Sequence, residues 1–591
     1  MIHNPIRKIA SSLAPVLCLA TLASVPAAAQ FGTFASYIWS NKYTYQPGES
    51  VTLRWTVKTN GDTGPYVIIA YRQNNQTGKK FYFPAGTETP TDIFGNRPQD
   101  GMNPIPIGDT AKAVLVGDGG LLPAVQVPEE YGMHTLVVQF RDPAGIRIIK
   151  TNYMKIGVVR GVREVTGTLE QNATWTNDWL WQIRGLYFVK NGATLTIEPG
   201  TFVIGLPGAQ PNPSALMITR SGRIVAEGTK SRPIVMTSSL PFGERQRGDW
   251  GGLVMMGRAP INVGANVSVG GQPVGNPAGE FFLEGLPGNP DTTYGGNDPE
   301  HDCGSIRYVR VEYAGSIFAP NSELNSFTWA GCGKKTKAEF LQATYGLDDA
   351  FEWFGGNNDV RYMVGGLGAD DFVDYQLGWT GKAQFGVFYQ SPDERGNRGI
   401  EGDNSEYLAT AQPLSKPQLY NMTFIGSKNQ GIDEPNSPGI YLRRNAGGTL
   451  VNMLATDFFS TGFFLDGANT QSQVAAGNIT VDGVLLYNNG LGTNAPNTLQ
   501  GQMQPESFTL LTNNPDKMKN FVVENPRFRR AFEYSDPDFS GQFNSPIYKL
   551  GWIAPPDDGF FDSTVTFLGG IGEFDWTEEW TSFLRDADIK P

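Results

Sequence analysis

The chain has 591 residues, among them 72 glycines and 40 prolines, and only 18% of its residues are charged. This composition is typical of turn-rich β-structure, and the length allows two to four domains or one solenoid with additional parts. The formal net charge of -12 argues against nucleic acid or an anionic membrane as the main partner, because both bind basic surfaces.

Residues 1–29 have the pattern of a secretory signal peptide. Arg7 and Lys8 precede an apolar run at residues 13–25, and three alanines at residues 27–29 form a cleavage site before Gln30. The apolar run is too short to span a bilayer as an ordinary helix. We therefore expect an exported protein, periplasmic, extracellular or on the cell surface, whose mature chain has no transmembrane span.

Residues 31–159 are predicted to form a separate β-sandwich of immunoglobulin type. Short runs of β-forming residues lie at 51–57, 66–71, 113–116 and 134–140, and turn-forming clusters such as 46–49 and 60–62 separate them. This alternation of short strands and turns is typical of such sandwiches.

Residues 165–504 are predicted to form a right-handed parallel β-helix. Alternating runs at 194–197, 216–219, 224–226 and 234–237 are each followed by a turn, and later copies of the pattern place Tyr313 and Tyr345 at equivalent positions. Strands this short cannot bury a face alone, so they must stack coil upon coil. Residues 505–591 are less repetitive, and we expect them to cover the last coils. The predicted fold class is therefore all-β.

Two cysteines, Cys303 and Cys332, remain after the predicted cleavage. Their separation along the chain fits one coil of a β-helix, which would place the two residues one above the other within bridging distance. An even number of cysteines in an exported protein also favours a disulfide. The alternative is a pair of separate buried thiols.

A cluster of acidic residues recurs at coil spacing. It consists of Asp348, Asp349, Glu352, Asp370, Asp371 and Asp374. The second Asp pair follows the first at a distance that again fits one coil, so stacked coils would bring their carboxylates onto one strip of surface. Glu401 and Asp403 extend the strip if they lie one coil further on.

Three interpretations of this acidic strip are open. Carboxylates held close together repel each other, and a hard cation with oxygen ligands, here calcium, relieves the repulsion. Alternatively, two carboxylates flanking a sugar bond can act as acid and as base or nucleophile, with Asp349 and Asp371 as the catalytic candidates. In the third interpretation the aspartates only end strands and form turns.

Other groups of residues in the sequence give little support for an enzyme. Six cations in the same region could supply the base of a polysaccharide lyase, but their spacing matches no lyase signature: Lys334, Lys335, Lys337, Arg361, Lys382 and Arg398. Only His134 and His301 remain after the predicted cleavage, which excludes a zinc site built on several histidines and leaves a Ser-His-Asp triad unsupported.

Several segments together resemble a family of exported bacterial right-handed parallel β-helix proteins. They read GATLTIEPGT, GRIVAEGTKSRPIVMTSS, GDWGGLVMMG, YGLDDAFEWFGG and DWTEEWTSF. The resemblance covers about residues 165–583 and leaves the predicted sandwich outside. It implies the fold and export, and because the family has no established activity it implies no site.

We expect a cell-surface or adhesion protein that binds a glycan or another surface component and is not an enzyme. The lack of a recognisable catalytic signature favours this hypothesis. The alternative is a calcium-dependent polysaccharide lyase or glycoside hydrolase that uses the acidic strip on an extracellular polymer. Calcium is the only cofactor that the sequence suggests.

Overall fold

The protein is described by a computed structural model. The described residues are 34–586 except 59–63, 85, 106, 108–111, 117–124, 128, 209–212, 264–267, 270–271, 274–278, 284–285, 287–288, 320–321, 393–395, 428–436 and 491–497. The predicted signal peptide lies outside the described residues. Within them, no helix has the length and hydropathy that a membrane span requires.

The N-terminal part is a sandwich of mostly antiparallel strands. Its strands are, in chain order, β1 (Ala35–Ser40), β2 (Thr44–Tyr45), β3 (Ser50–Val51), β4 (Leu53–Lys58), β5 (Val67–Asn74), β6 (Lys80–Tyr82), β7 (Lys112–Val116), β8 (Val125–Gln126), β9 (Gly132–Arg141) and β10 (Ile148–Val158). One sheet has the order β1-β4-β7 and the other β2-β10-β9-β5-β6. Apolar residues of both sheets, including Trp55 and Phe140, form one buried core, as expected when alternating strand residues face inward.

The following part is a parallel β-helix, as predicted. Its strands and helices are, in chain order, β11 (Val162–Val165), β12 (Thr168–Leu169), β13 (Ala173–Trp175), β14 (Leu180–Ile183), β15 (Leu186–Val189), β16 (Thr194–Ile197), β17 (Phe202–Gly205), β18 (Ala215–Ile218), β19 (Arg223–Glu227), β20 (Ile234–Ser238), β21 (Leu253–Met256), β22 (Ser268–Val269), β23 (Gln272–Pro273), β24 (Glu280–Phe282), β25 (Thr293–Gly295), β26 (Gly304–Glu312), β27 (Ile317–Ala319), β28 (Ser322–Glu323), β29 (Phe327–Ala330), β30 (Lys337–Thr344), β31 (Phe351–Phe354), β32 (Val360–Gly366), β33 (Val373–Gln376), β34 (Lys382–Tyr389), β35 (Ile400–Gly402), β36 (Gln418–Ile425), β37 (Ile440–Leu442), β38 (Gly448–Thr456), β39 (Phe463–Leu465), α1 (Ala468–Ala475), β40 (Ile479–Tyr487), α2 (Pro505–Asn513) and β41 (Met518–Val522).

Two long parallel sheets run the length of this solenoid. The ten-stranded sheet has the order β12-β15-β18-β21-β29-β31-β33-β35-β37-β39, and a fifteen-stranded sheet begins with β11 and β13 and ends with β41. Each strand pairs in register with the strand one coil away, so residues at equivalent coil positions form rows across the strands. This register decides which polar side chains meet.

The long strands of the fifteen-stranded sheet bend at one residue per coil. These residues have a positive φ between 48° and 65° and are Tyr308, Phe340, Tyr362, Phe385, Asn421 and Asn452. Asparagine tolerates this conformation, whereas a bulky aromatic residue adopts it only when its surroundings compensate. The compensation is a stack of rings, because the centroids of consecutive aromatic residues in this row lie 4.2–4.9 Å apart.

The interior of the solenoid is closely packed with apolar side chains. Trp329, Trp353 and Trp379 are fully buried, and their ring centroids stack at 4.8 and 4.3 Å. Cys303 and Cys332 form a disulfide with a Cα–Cα distance of 5.8 Å, which confirms the predicted pairing. A disulfide is typical of proteins outside the cytoplasm.

The C-terminal part packs on the last coils through α2 and β41 and then returns along the solenoid. The side chains of Asn452 and Asn421 donate to the carbonyls of Ile553 and Phe567, at 2.7 and 3.1 Å. At the far end, the carboxylate of Asp586 accepts a hydrogen bond from the hydroxyl of Tyr313 at 3.0 Å. This segment therefore covers the bent side of many coils and extends back to the residue that follows β26.

His134 in β9 predicts a pH-dependent stability of the sandwich. It is fully buried, its Nδ1 lies 2.7 Å from Nη1 of Arg72, and its Nε2 lies 2.8 Å from the carbonyl oxygen of Glu130. Nδ1 therefore accepts a hydrogen bond from the guanidinium, and a protonated ring would lose it. Burial lowers the pKa of His134 from 6.5 to about 4.

Because the unfolded chain binds this proton more tightly, the contribution of His134 is complete above pH 6.5 and is lost as the pH falls toward 4. We expect about 2 kcal/mol of the unfolding free energy to disappear between pH 7 and pH 5 from this group alone. Urea denaturation at pH 7 and at pH 5 measures this loss of unfolding free energy. The variant His134→Gln should lack the part of the loss that comes from His134. An equal pH dependence in the variant would contradict the assignment.

Candidate acidic site

One row of outward-facing residues crosses six strands of the ten-stranded sheet. This outer row contains Thr328, Glu352, Asp374, Glu401, Tyr441 and Phe464, in β29, β31, β33, β35, β37 and β39. The residues on either side of each row member face the core; Phe351 and Trp353, for example, are fully buried. Since side chains alternate along a strand, the core pattern forces three consecutive carboxylates onto the same outer line.

The remaining acidic residues lie in the turns that precede β31 and β33. Oδ1 of Asp349 accepts the backbone N–H of Asp371 at 3.1 Å, and Oδ1 of Asp371 accepts the backbone N–H of Arg398 at 2.6 Å. Each of these aspartates thus uses one oxygen to connect its turn to the next coil, which is the role expected of turn-forming aspartates. Both aspartates also belong to clusters of carboxylates.

Carboxylate oxygens come together in three overlapping triads. Within each triad the oxygen atoms lie within 4.8 Å of one another. The first triad is Asp348, Asp349 and Asp370; the middle triad is Asp349, Glu352 and Asp374; the last triad is Asp371, Asp374 and Glu401. The structure thus joins all six residues of the predicted acidic strip, together with Glu401.

Arginines balance the charge at the last triad. The guanidinium of Arg398 contacts Asp371, with a 3.3 Å distance between Nη1 and Oδ2, and it also pairs with Glu401. Arg443 pairs with the other oxygen of Glu401 and, through Nε at 2.9 Å, with Asp403. Two of the three carboxylates in this triad are therefore already neutralised by the protein.

The contacts of the middle triad are different. Glu352 receives hydrogen bonds from the neutral side chains of Asn325 and Gln376, the latter at 3.0 Å. Oδ1 of Asp374 is buried and accepts no hydrogen bond. Among the residues that the structure describes, no lysine or arginine forms an ion pair with Asp349 or Asp374.

Burial and crowding shift the protonation of the site. The pKa values of Asp349, Asp374 and Glu401 lie well above their usual range, first because burial disfavours the charged form and then because neighbouring carboxylates repel it. The pKa of Asp370 is raised to about 6 by the same causes. These carboxylates therefore bind protons more readily than exposed ones.

The sequence did not indicate the partners of these acids. Arg443 and Arg444 contact Asp403 at 2.9 and 2.7 Å. Both arginines follow β37, one coil beyond the coil that contains Asp403. Asn325 and Gln376 flank Glu352 from the coils on either side. These residues contact the acids only because the intervening loops have the right lengths. No motif in the sequence shows which loop lengths would bring them together.

Most of the suggested catalytic bases lie elsewhere. Lys334, Lys337 and Arg361 line a separate cavity of about 480 Å³ on the fifteen-stranded sheet, and Lys382 pairs with an aspartate of the C-terminal segment. Among the suggested bases, Arg398 contacts the acidic residues, and it is held by two carboxylates. The acidic site therefore contains cations that pair with carboxylates rather than a free base.

Comparison with known proteins gives one result. The profile of the family described as a pectate-lyase-like β-helix domain matches residues 167–520, more than half of the chain. No curated protein and no solved structure matches the chain significantly. The chain therefore belongs to the family of proteins with a pectate-lyase-like β-helix domain.

Proposed function

We propose that this protein is exported and binds a polysaccharide without cleaving it, through calcium held by the middle triad. The observation that carries the proposal is the set of three carboxylates, Asp349, Glu352 and Asp374, with oxygens within 4.8 Å of one another. Family membership fits a polysaccharide-related protein.

The geometry of the middle triad suits a calcium ion. Calcium binds oxygen ligands at about 2.3–2.6 Å, so oxygens that share one ion lie at most about 5 Å apart. The buried, unpartnered Oδ1 of Asp374 supplies an oxygen that the protein itself leaves unused. Since Asp374 also belongs to the last triad, a cation here would relieve repulsion in both.

Three protein carboxylates leave room for a ligand. Calcium takes about six to eight oxygen ligands, so hydroxyl or carboxylate oxygens of a sugar chain can complete the coordination. The protein groups at the site would orient the ion and the sugar: Asn325 and Gln376 fix Glu352, and the backbone of Asp371 fixes Asp349.

The same contacts argue against cleavage. Asp349 and Asp371 each already use one carboxylate oxygen to accept a backbone hydrogen bond, and the other oxygen of Asp371 contacts Arg398. A general acid or base has to reach the proton that it transfers. Arg398 pairs with Asp371 and Glu401, so it has little freedom to act as the base of a lyase.

The experiment is retention of the mature protein on immobilised polysaccharides, acidic and neutral, with calcium or with a chelator. We expect retention on at least one polymer only with calcium, heat on calcium titration, and unchanged polymer length. No heat at millimolar calcium would overturn the calcium site. New unsaturated ends would instead identify a lyase, and new reducing ends alone a hydrolase.

A further inference from the structure

The outer row continues past its carboxylates with two aromatic residues. Tyr441 and Phe464 occupy the next two positions after Glu401. Their ring centroids lie 5.2 Å apart with an angle of 32° between the planes. The row therefore changes from three acids to two rings along one straight line across the strands.

Tyr441 is held firmly in place. Its hydroxyl donates to Oδ2 of Asp466 at 2.7 Å. The guanidinium carbons of Arg398 and Arg443, the same arginines that pair with Glu401, lie 4.9 and 5.7 Å from the centre of its ring. Arg398 and Arg443 thus contact both Tyr441 and the acidic site.

Phe464 is an apolar residue that lies outside the core. Its neighbours Phe463 and Leu465 are fully buried, whereas Phe464 is half-buried and points to the outer face of the sheet. An aromatic ring on a mostly polar outer face can pack against the C–H-rich side of a pyranose ring, which removes apolar surface of both from water.

We infer that the half-buried ring of Phe464, packed against the buried ring of Tyr441, forms a sugar-stacking platform, so that a bound polysaccharide runs across the strands from Asp374 to Phe464. This inference rests on the proposed function. Three strand spacings of about 4.8 Å separate the two ends, or roughly 14 Å. The ligand is therefore a pyranose polymer long enough to reach the calcium site and the platform together.

The test compares Phe464→Ala with Phe543→Ala, which removes a phenylalanine that is 96% exposed in the C-terminal part. We expect Phe464→Ala to weaken polysaccharide binding about tenfold while the heat of calcium binding stays unchanged. Phe543→Ala should bind like the wild type, and Phe464→Trp should keep its affinity because it keeps an aromatic face.

Each outcome separates the two ideas. If the wild type binds polysaccharide with calcium and Phe464→Ala binds equally well, the platform is overturned and the calcium site stands. If binding needs no calcium but still falls in Phe464→Ala, the platform stands and the calcium site is overturned. If the wild type binds no polysaccharide in the panel, both are overturned.

Discussion

Replacing Glu312 by glutamine is expected to lower the free energy of unfolding by about 3–5 kcal/mol. Glu312 is 3% exposed, and its carboxylate pairs with Arg310, which is 2% exposed. It also lies 3.8 Å from Nη1 of Arg245 and accepts a hydrogen bond from the hydroxyl of Tyr43 at 3.1 Å. The variant would leave the Arg310 guanidinium buried without a counter-charge.

The position of this network explains why its loss should affect the whole protein. Tyr43 belongs to the sandwich, Arg245 and Arg310 belong to coils of the solenoid, and Arg245 pairs in turn with Asp586 of the C-terminal segment. One buried carboxylate therefore stabilises contacts among three parts of the chain. We expect these parts to unfold together in the wild type and in separate steps in Glu312→Gln.

Two further variants show whether the missing counter-charge is the cause. The double variant Arg310→Met/Glu312→Leu removes both charges, so it should recover most of the lost stability, since a well-packed apolar pair can replace a buried ion pair. Glu49→Gln breaks the exposed pair with Lys42 and should cost at most about 1 kcal/mol. Urea denaturation measures all of them, and a double variant less stable than Glu312→Gln would contradict this explanation.

Coil-to-coil spacing was the part of the fold that the sequence predicted best. The spacing of Cys303 and Cys332 predicted their disulfide, and the matching positions of Tyr313 and Tyr345 place their rings in a stack with centroids 4.7 Å apart. Equivalent positions in successive coils must lie one strand spacing apart. Residue types that stack on one another, such as tyrosine, therefore recur once per coil, and their spacing in the sequence shows the length of a coil.

The path of the C-terminal segment could not be predicted in the same way. It forms few regular strands, and many of its contacts are side-chain hydrogen bonds to residues far away in the sequence, such as those of Asn421 and Gln342 with Phe567 and Ser582. The positive φ of Phe340 and Tyr362 was equally unforeseen. Bulky aromatic residues rarely adopt that conformation, and here neighbouring coils and Trp576 stabilise it.

The acids of the candidate site were predictable, but their charge balance was not. Asp348 and Asp370 repeat at coil spacing, which is visible in the sequence. The arginine that pairs with both Glu401 and Asp403 is Arg443, which follows only after a long loop. Only the folded structure shows that arginines pair with the last triad and that amide side chains donate hydrogen bonds to Glu352 in the middle triad.

Replacing Asp374 by asparagine is expected to abolish most of the stabilisation that calcium gives the protein. A ligand that binds only the folded state stabilises it by about 2.7 kcal/mol at 100 times its dissociation constant. Asp374 belongs to two triads, so the variant loses a ligand of the proposed ion. Thermal denaturation with and without calcium, together with calcium titration by calorimetry, measures the difference.

The sign of the effect without calcium separates the interpretations of the site. Since Asp374 is crowded by Glu352 and Glu401 and its Oδ1 is buried without a hydrogen bond, removing its charge should leave the calcium-free protein as stable as the wild type or more stable. The control Asp359→Asn makes the same charge change at a carboxylate paired with Lys334 and should keep the full calcium response. If Asp374→Asn gains as much from calcium as the wild type does, the ion lies elsewhere; if neither gains anything, the acids act through turns and hydrogen bonds alone.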